Sequence, residues 1–174
     1  MTWTIDNILE ATGGERLCGK TDHIFSGISI DSRQIGHDAL FIAIRGEVHD
    51  AHRFVEDAVN LGVRGLVIEK RKSADLPLSD WDQQDVTCIA VEDTTQAMGA
   101  MAAFHRRRFR ASVVAITGST GKTTTREMMA AIVSQRYKTL SSRKNYNNEI
   151  GLPLTLFELN QHHDWAVIEL GMNH

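Results

Sequence analysis

Cysteine is scarce: the 174 residues hold two, Cys18 and Cys88. They stand far apart and form no C-x-x-C pair. Cys88 sits in the apolar run Cys88-Ile89-Ala90-Val91, where a buried, reduced thiol is expected. A chain of this length buries roughly 70% of its unfolded surface, so neither a disulfide nor a metal staple is required. An excess of positive charge is also lacking. The net charge of −3 provides no general attraction to nucleic acid or to an anionic membrane. Long apolar runs are absent, the longest weakly polar stretch being Ala97–Phe104, far too short to span a bilayer. The first residues, Met1-Thr2-Trp3-Thr4-Ile5-Asp6, show no basic region followed by an apolar stretch, so no signal peptide is read there. A cytoplasmic location is the resulting expectation. No internal repeat and no low-complexity segment is found.

What remains is an ordinary globular composition, 42% hydrophobic and 24% charged. Thr4 can cap a helix running to Ala11, with Gly13-Gly14 ending it. Ile28-Ser29-Ile30 and Leu40–Ile44 read as strands. Asp50 is placed to cap a helix with Ala51, Phe54, Val55, Ala58 and Val59 on one face, ended by Gly62. Gly65–Glu69 and Thr87–Val91 read as further strands, separated by a polar stretch, Ser73–Asp85, that contains Pro77 and reads as a loop. A helix opens at Asp93 or Thr94 with Met98, Met101, Ala102 and Phe109 on one stripe. The basic run His105-Arg106-Arg107-Arg108-Phe109-Arg110 falls at its end, where cations complement the helix dipole, and reads as a solvated helix terminus rather than a nucleic-acid patch.

The texture changes after Arg110. Val113-Val114-Ala115-Ile116 is a continuous apolar run, as expected of a parallel strand buried on both faces. A glycine-rich turn follows, then a helix expected to turn Met128, Met129, Ile132 and Val133 inward. Tyr137–Leu140 and Trp165–Leu170 are the next strand candidates. Strand, turn, helix, strand is the opening of a doubly wound α/β nucleotide domain. The predicted fold class is therefore α/β, in two parts. A small N-terminal α/β domain covers residues 1–108, and the start of a phosphate-loop, parallel-sheet domain covers 109–174. The second part has about three strands where an open sheet usually has ~5 to 6, so it is expected to be incomplete.

The turn carries the chemistry. In Thr117-Gly118-Ser119-Thr120-Gly121-Lys122-Thr123-Thr124, the two glycines permit positive φ and let backbone N–H groups close around phosphate oxygens. The helix beginning at Lys122 aims its positive end at the same anion. Lys122 is a candidate for the β- and γ-phosphates of ATP, and the Thr123 hydroxyl is a candidate Mg²⁺ ligand. The general pattern G-x-x-x-x-G-K-[ST] is not fully met, because Ile116 occupies its first glycine position. A ligand-free turn is the bland alternative, but a lysine and three threonines behind a buried strand are hard to explain as packing.

At Thr117–Met128 the string T-G-S-T-G-K-T-T-T-R-E-M resembles the ATP loop of the Mur ligases, which build the peptide stem of bacterial peptidoglycan. Asn145-Tyr146-Asn147-Asn148-Glu149-Ile150-Gly151-Leu152-Pro153 is similar to the family's N-x-N-N-[DE]-I-G-x-P segment. Ala166–His174 is similar to its A-V-x-E-x-G-x-N-H strand end. Upstream, Asp31-Ser32-Arg33, Leu40–Gly46 and Asp50–Phe54 resemble the family's UDP-sugar-binding domain. Within the family the likeness is greatest to the branch that adds D-alanyl-D-alanine to UDP-N-acetylmuramoyl-tripeptide.

The resemblance implies a peptide ligase of cell-wall precursor synthesis that uses ATP and Mg²⁺. ATP phosphorylates the terminal carboxylate of the sugar-nucleotide peptide, and the acyl phosphate is then attacked by the amine of D-Ala-D-Ala. It implies that Lys122 and Glu169 are catalytic, and that Thr123 and Glu169 hold the metal. Residues Thr117 to Thr124 take ATP, while Asp31, Ser32, Arg33, Arg45, Gly46, Asp50 and His52 take the UDP-sugar. Asn145, Asn147, Asn148 and His174 become candidates for substrate or nucleotide contact. Glu169 at a strand's carboxyl end is well placed for a metal, though it also reads as a solvated acid. Asparagines are also common in turns, because they tolerate left-handed conformations. Family members are much longer, and their carbamylated lysine and remaining domains lie outside this stretch, so the chain alone is expected to be inactive. The alternatives are another Mur ligase, such as that adding the third stem residue, a non-catalytic nucleotide sensor and a simple phosphate-loop kinase.

Overall fold

A computed structural model describes residues 2–46, 49–143 and 146–171, with the side chain of Gln34 left aside. In chain order the elements are β1 (Trp3–Thr4), α1 (Ile5–Thr12), β2 (Glu15–Cys18), β3 (Ile24–Phe25), β4 (Gly27–Ser29), β5 (Ala39–Ile42), α2 (Val55–Asn60), β6 (Gly65–Glu69), α3 (Leu78–Gln83), β7 (Thr87–Val91) and α4 (Thr94–Arg107). They continue with β8 (Ser112–Ile116), α5 (Lys122–Ser134), β9 (Thr139–Ser141), α6 (Gly151–Phe157) and β10 (Trp165–Glu169). The chain divides into two compact units, residues 1–100 and 101–174, the division falling inside α4. No described helix is long and apolar enough to cross a membrane.

The first unit is built on a five-stranded sheet in the order β2-β7-β6-β5-β4, with β4 to β7 mutually parallel and β2 antiparallel at one edge. Its central strands β6 and β7 are buried along their whole length, which is why both read as near-continuous apolar runs. On one face Phe41, Leu66, Ile68 and Cys88 pack with Val55, Ala58 and Val59 from α2 and with Trp81 from α3. Both cysteines are free and buried, paired across β2 and β7 in the ladder. Helix α1 starts where Thr4 Oγ1 accepts the Asn7 N–H at 3.2 Å, and it ends at Gly13 in the left-handed conformation.

Two local readings differ from this unit. Part of the stretch 73–85 read as loop is helical: α3 forms there, and the burial of Trp81 drives it, since the local acids and Pro77 carry no helical pattern of their own. The helix expected directly from Asp50 begins instead as a tight 3-10 turn over Ala51–Phe54, leaving Phe54 45% exposed.

The second unit holds a three-stranded parallel sheet in the order β8-β10-β9, with α5 packed on it. Strand β10 is central and buried from Ala166 to Glu169. The apolar run of β8 predicts burial on both faces, yet Ser112 and Ala115 are exposed and the rest half-buried. The cause is its edge position, since among the described residues only β10 pairs with it. Helix α5 differs likewise. Met128 and Ile132 are 62% and 68% exposed rather than inward, because three strands cover only a narrow stripe of the helix.

Candidate functional site

The turn between β8 and α5 places the phosphate-loop residues at the carboxyl end of a parallel strand, where open α/β sheets bind ligands. Gly118 has φ +148° and Gly121 φ +73°, conformations costly for residues with a Cβ. Gly121 is the N-cap of α5, a thirteen-residue helix whose N–H groups and dipole face the loop. Lys122 Nζ donates to the Gly118 carbonyl at 2.8 Å, so its charge lies across the loop.

Glu169 ends β10 beside this loop, and its carboxylate is held from two sides. Thr123 Oγ1 donates to Oε2 at 2.9 Å, and Asn147 Nδ2 donates to Oε1 at 2.9 Å. Its backbone N–H donates to Ser142 Oγ at 3.0 Å. Burial alone would raise the Glu169 carboxyl, but the hydrogen bonds from Asn147 and Thr123, with the charges of Arg126 and Lys122, outweigh it and hold the group below its ordinary value. The paired oxygens of Thr123 and Glu169 form a hard donor set of the kind that suits Mg²⁺.

Asn147 and Asn148 of the asparagine segment both make hydrogen bonds within the protein. Asn148 Oδ1 accepts the N–H groups of Gly151 at 2.8 Å and Ile150 at 3.3 Å, capping α6. Asn147 orients Glu169, and its carbonyl accepts the Gly171 N–H at 2.6 Å. A Cβ on Gly171 would lie 2.9 Å from that carbonyl oxygen, so the close approach needs glycine there. Asn145 and His174 lie outside the described residues.

In the first unit a cavity of about 530 Å³ opens at the carboxyl ends of β4 and β5. Ile30, Phe41, Ile44, Ala51 and Phe54 provide apolar walls, and Asp31, Ser32, Arg33 and His49 bring polar groups. The size and mixed lining suit a drug-sized or nucleotide-sized ligand. Asp31 caps the following turn and takes a two-pronged hydrogen bond from Arg33, both contacts at 2.8 Å, which holds the Asp31 carboxyl down at about 2. That leaves the outer N–H groups of an 84% exposed guanidinium available to an anion.

Arg45, Gly46, Asp50 and His52 do not line this cavity. They build the loop beside it. Arg45 and Asp50 form a backbone bridge, and Gly46 N–H donates to the His49 carbonyl at 2.8 Å. His52 is buried, with Nδ1 2.6 Å from Asp50 Oδ1 and Nε2 accepting the Glu69 backbone N–H at 2.9 Å. Both ring nitrogens are thereby engaged within the protein. Burial would raise the Asp50 carboxyl, yet hydrogen bonds from Lys72 and His52 outweigh it and hold the group below the carboxylate range. Sequence reasoning did not single out Ile30, Phe41, Ile44 and Phe54 as walls of a cavity. Strand periodicity signals that such residues are buried, not that they face a cavity.

Comparison with known proteins gives a consistent result. Residues 24–106 match the family described as "Mur ligase family, catalytic domain", and residues 116–174 match "Mur ligase middle domain". The UDP-N-acetylmuramoyl-tripeptide--D-alanyl-D-alanine ligase of Treponema pallidum is 38% identical over 99% of this chain. That of Escherichia coli is 40% identical over 98%. The chain spans 38% and 35% of the lengths of those two relatives. A crystal structure of MurF from Acinetobacter baumannii matches all of this chain with a TM-score of 0.89 and 35% identity, the match covering 37% of that protein. MurF ligase from Thermotoga maritima, solved with ADP, matches 82% of this chain and 31% of its own with a TM-score of 0.69 and 25% identity.

Proposed function

Because the chain belongs to the Mur ligase family, we propose that its parent protein is the ATP-dependent ligase joining D-Ala-D-Ala to UDP-N-acetylmuramoyl-tripeptide. Residues 1–108 are assigned to the sugar-nucleotide end of the substrate and residues 109–174 to the opening of the ATP-binding domain. The observation that carries this reading is the contact of Thr123 with Glu169 at the mouth of the phosphate loop. A carboxylate that takes the hydroxyl of the loop threonine, beside the loop lysine, offers the paired hard oxygens that suit a nucleotide-bound Mg²⁺.

The chemistry follows from this arrangement. The loop N–H groups from Gly118 to Thr124 cradle the phosphates of ATP. Lys122 exchanges its contact with the Gly118 carbonyl for a phosphate oxygen and offsets charge on the moving phosphoryl group. Thr123 and Glu169 would hold Mg²⁺, which supplies further neutralisation of phosphate charge when bound. The tripeptide carboxylate takes the γ-phosphoryl group, and the amine of D-Ala-D-Ala displaces phosphate from the acyl phosphate, giving an amide, ADP and phosphate. In the first unit, the cavity walls from Ile30 to Phe54 take the apolar face of the uracil and ribose, and Arg33 takes an anionic oxygen.

Calorimetric titration of the chain with UDP-N-acetylmuramoyl-tripeptide tests the assignment, with UDP-glucose as control. Saturable binding of the muramoyl ligand alone is expected. A folded sample that binds neither would leave an ATP-binding protein with no sugar-nucleotide site.

A further inference from the structure

Helix α5 has an unusual inward face. Its buried residue is an arginine, Arg126, only 5% exposed, while the apolar Met128 and Ile132 point outward. A buried guanidinium is costly unless its partners replace the lost water. Arg126 follows Thr123 by three residues and Lys122 by four, so all three share one side of the helix. Its Nη1 donates to the Ser142 carbonyl and lies 3.5 Å from Ser141 Oγ, and its Nη2 lies 3.2 Å from Glu127 Oε1. Among the described residues its buried Nε has no hydrogen-bond partner, and it points to Glu169 Oε2 at 3.7 Å, an ion-pair distance too long for a hydrogen bond. Ser142 closes the circuit, since its Oγ accepts the Glu169 backbone N–H at 3.0 Å.

We propose that Arg126 is a positioning residue that fixes the Glu169 carboxylate for the metal ion accompanying the nucleotide, acting jointly with Ser142 from beneath while Thr123 and Asn147 hold the carboxylate from the sides. This rests on the nucleotide reading above. Arg126 is nearly enclosed and its Nη1 is committed to the β9 end, so it works through Glu169 and not on the phosphates. Residues that orient metal ligands in this way commonly change metal affinity by ~10- to 100-fold when removed.

The test uses this chain, ADP, and Mg²⁺ or Mn²⁺ titrated by calorimetry. In Arg126→Met the metal concentration for half-maximal nucleotide binding is expected to rise about 10- to 100-fold, while ADP binding without metal stays at the wild-type value. Arg126→Lys, which keeps the charge but loses the planar fork, is expected to show a smaller rise. In a Glu169→Gln background Arg126→Met is expected to add nothing further, because both changes remove one unit. Thermal melts establish folding, and Arg126→Lys carries the test if the methionine variant does not fold. Wild-type metal dependence in a folded Arg126 variant overturns the proposal, as does an additive loss in the Glu169→Gln background. Either result would leave Arg126 as a brace between α5 and β9. If the wild-type chain itself binds no ADP with metal present, the nucleotide reading fails first and this inference with it.

Discussion

Glu169 follows three buried aliphatic or small residues, Ala166 to Ile168, on the central strand of its sheet, and is itself 7% exposed. An acid in that position is costly unless it is hydrogen-bonded, and the bonds from Thr123 and Asn147 meet that need. Its candidacy was legible in the sequence because a strand end is a local feature. Its partners were less so. Asn147 lies 22 residues away, and nothing within the asparagine segment itself signals that one side chain reaches Glu169 while the next caps α6. The phosphate loop was legible throughout, since its geometry is set by consecutive residues. A Cβ on Gly121 would meet nothing within 4 Å, so its requirement is purely one of backbone conformation at φ +73°. Gly121→Ala should therefore fold but lose about 1–2 kcal/mol in keeping the left-handed turn. Calorimetry should show ADP binding weakened about tenfold, the affinity change that ~1.4 kcal/mol represents. Unchanged ADP affinity would mean that the loop takes its phosphate without that turn.

At the scale of elements, β6 and β7 have the bounds that their apolar runs predict, because a strand buried on both faces must be apolar throughout. The same rule misled for β8 and α5. An apolar run reports what a residue could bury, and the burial itself depends on strands and helices elsewhere in the chain. Helix α3 shows the converse case, where one residue, Trp81, anchors a segment that lacks periodicity. Helix α4 carries its own test. His105, 1% exposed, lies with Nε2 2.8 Å from the Leu159 carbonyl and packs edge-on against Phe109 and Phe157. Burial pushes its imidazole below the ordinary histidine value, more than the Leu159 contact raises it. The sign follows from linkage: an unfolded chain takes up this proton near pH 6.5, whereas the folded chain resists it. Stability attached to this group is full above that pH and falls as the pH drops through it toward the lower folded value. Melting temperatures of wild type and His105→Gln measured from pH 8 to pH 5 should converge as the medium becomes acidic. A constant gap between the two curves would show that His105 does not titrate differently on folding.

For the whole molecule, sequence texture and chain contacts mark different places. The change after Arg110 announces β8, while the contacts divide the chain inside α4, a helix whose apolar stripe Met98, Met101, Ala102 runs without a break. A texture change marks where a new element starts, and compactness depends on which residues meet in space. The second unit contributes a loop, a lysine, a threonine and a carboxylate, all suited to nucleotide binding. Ligation asks for more, because the acyl phosphate must meet an amine held within reach and shielded from water. Among the described residues, the three-stranded sheet leaves β8 half-exposed at its edge. The relatives that this chain matches are also nearly three times as long, with 38% and 35% of their lengths covered. Incubated with ATP, Mg²⁺, UDP-N-acetylmuramoyl-tripeptide and D-Ala-D-Ala, this chain should therefore bind nucleotide yet form no ADP that depends on D-Ala-D-Ala. The full-length parent should form it under the same conditions. ADP formation by the chain that rises with D-Ala-D-Ala would place the amine site within these 174 residues, on the surfaces around Glu169 that face the phosphate loop.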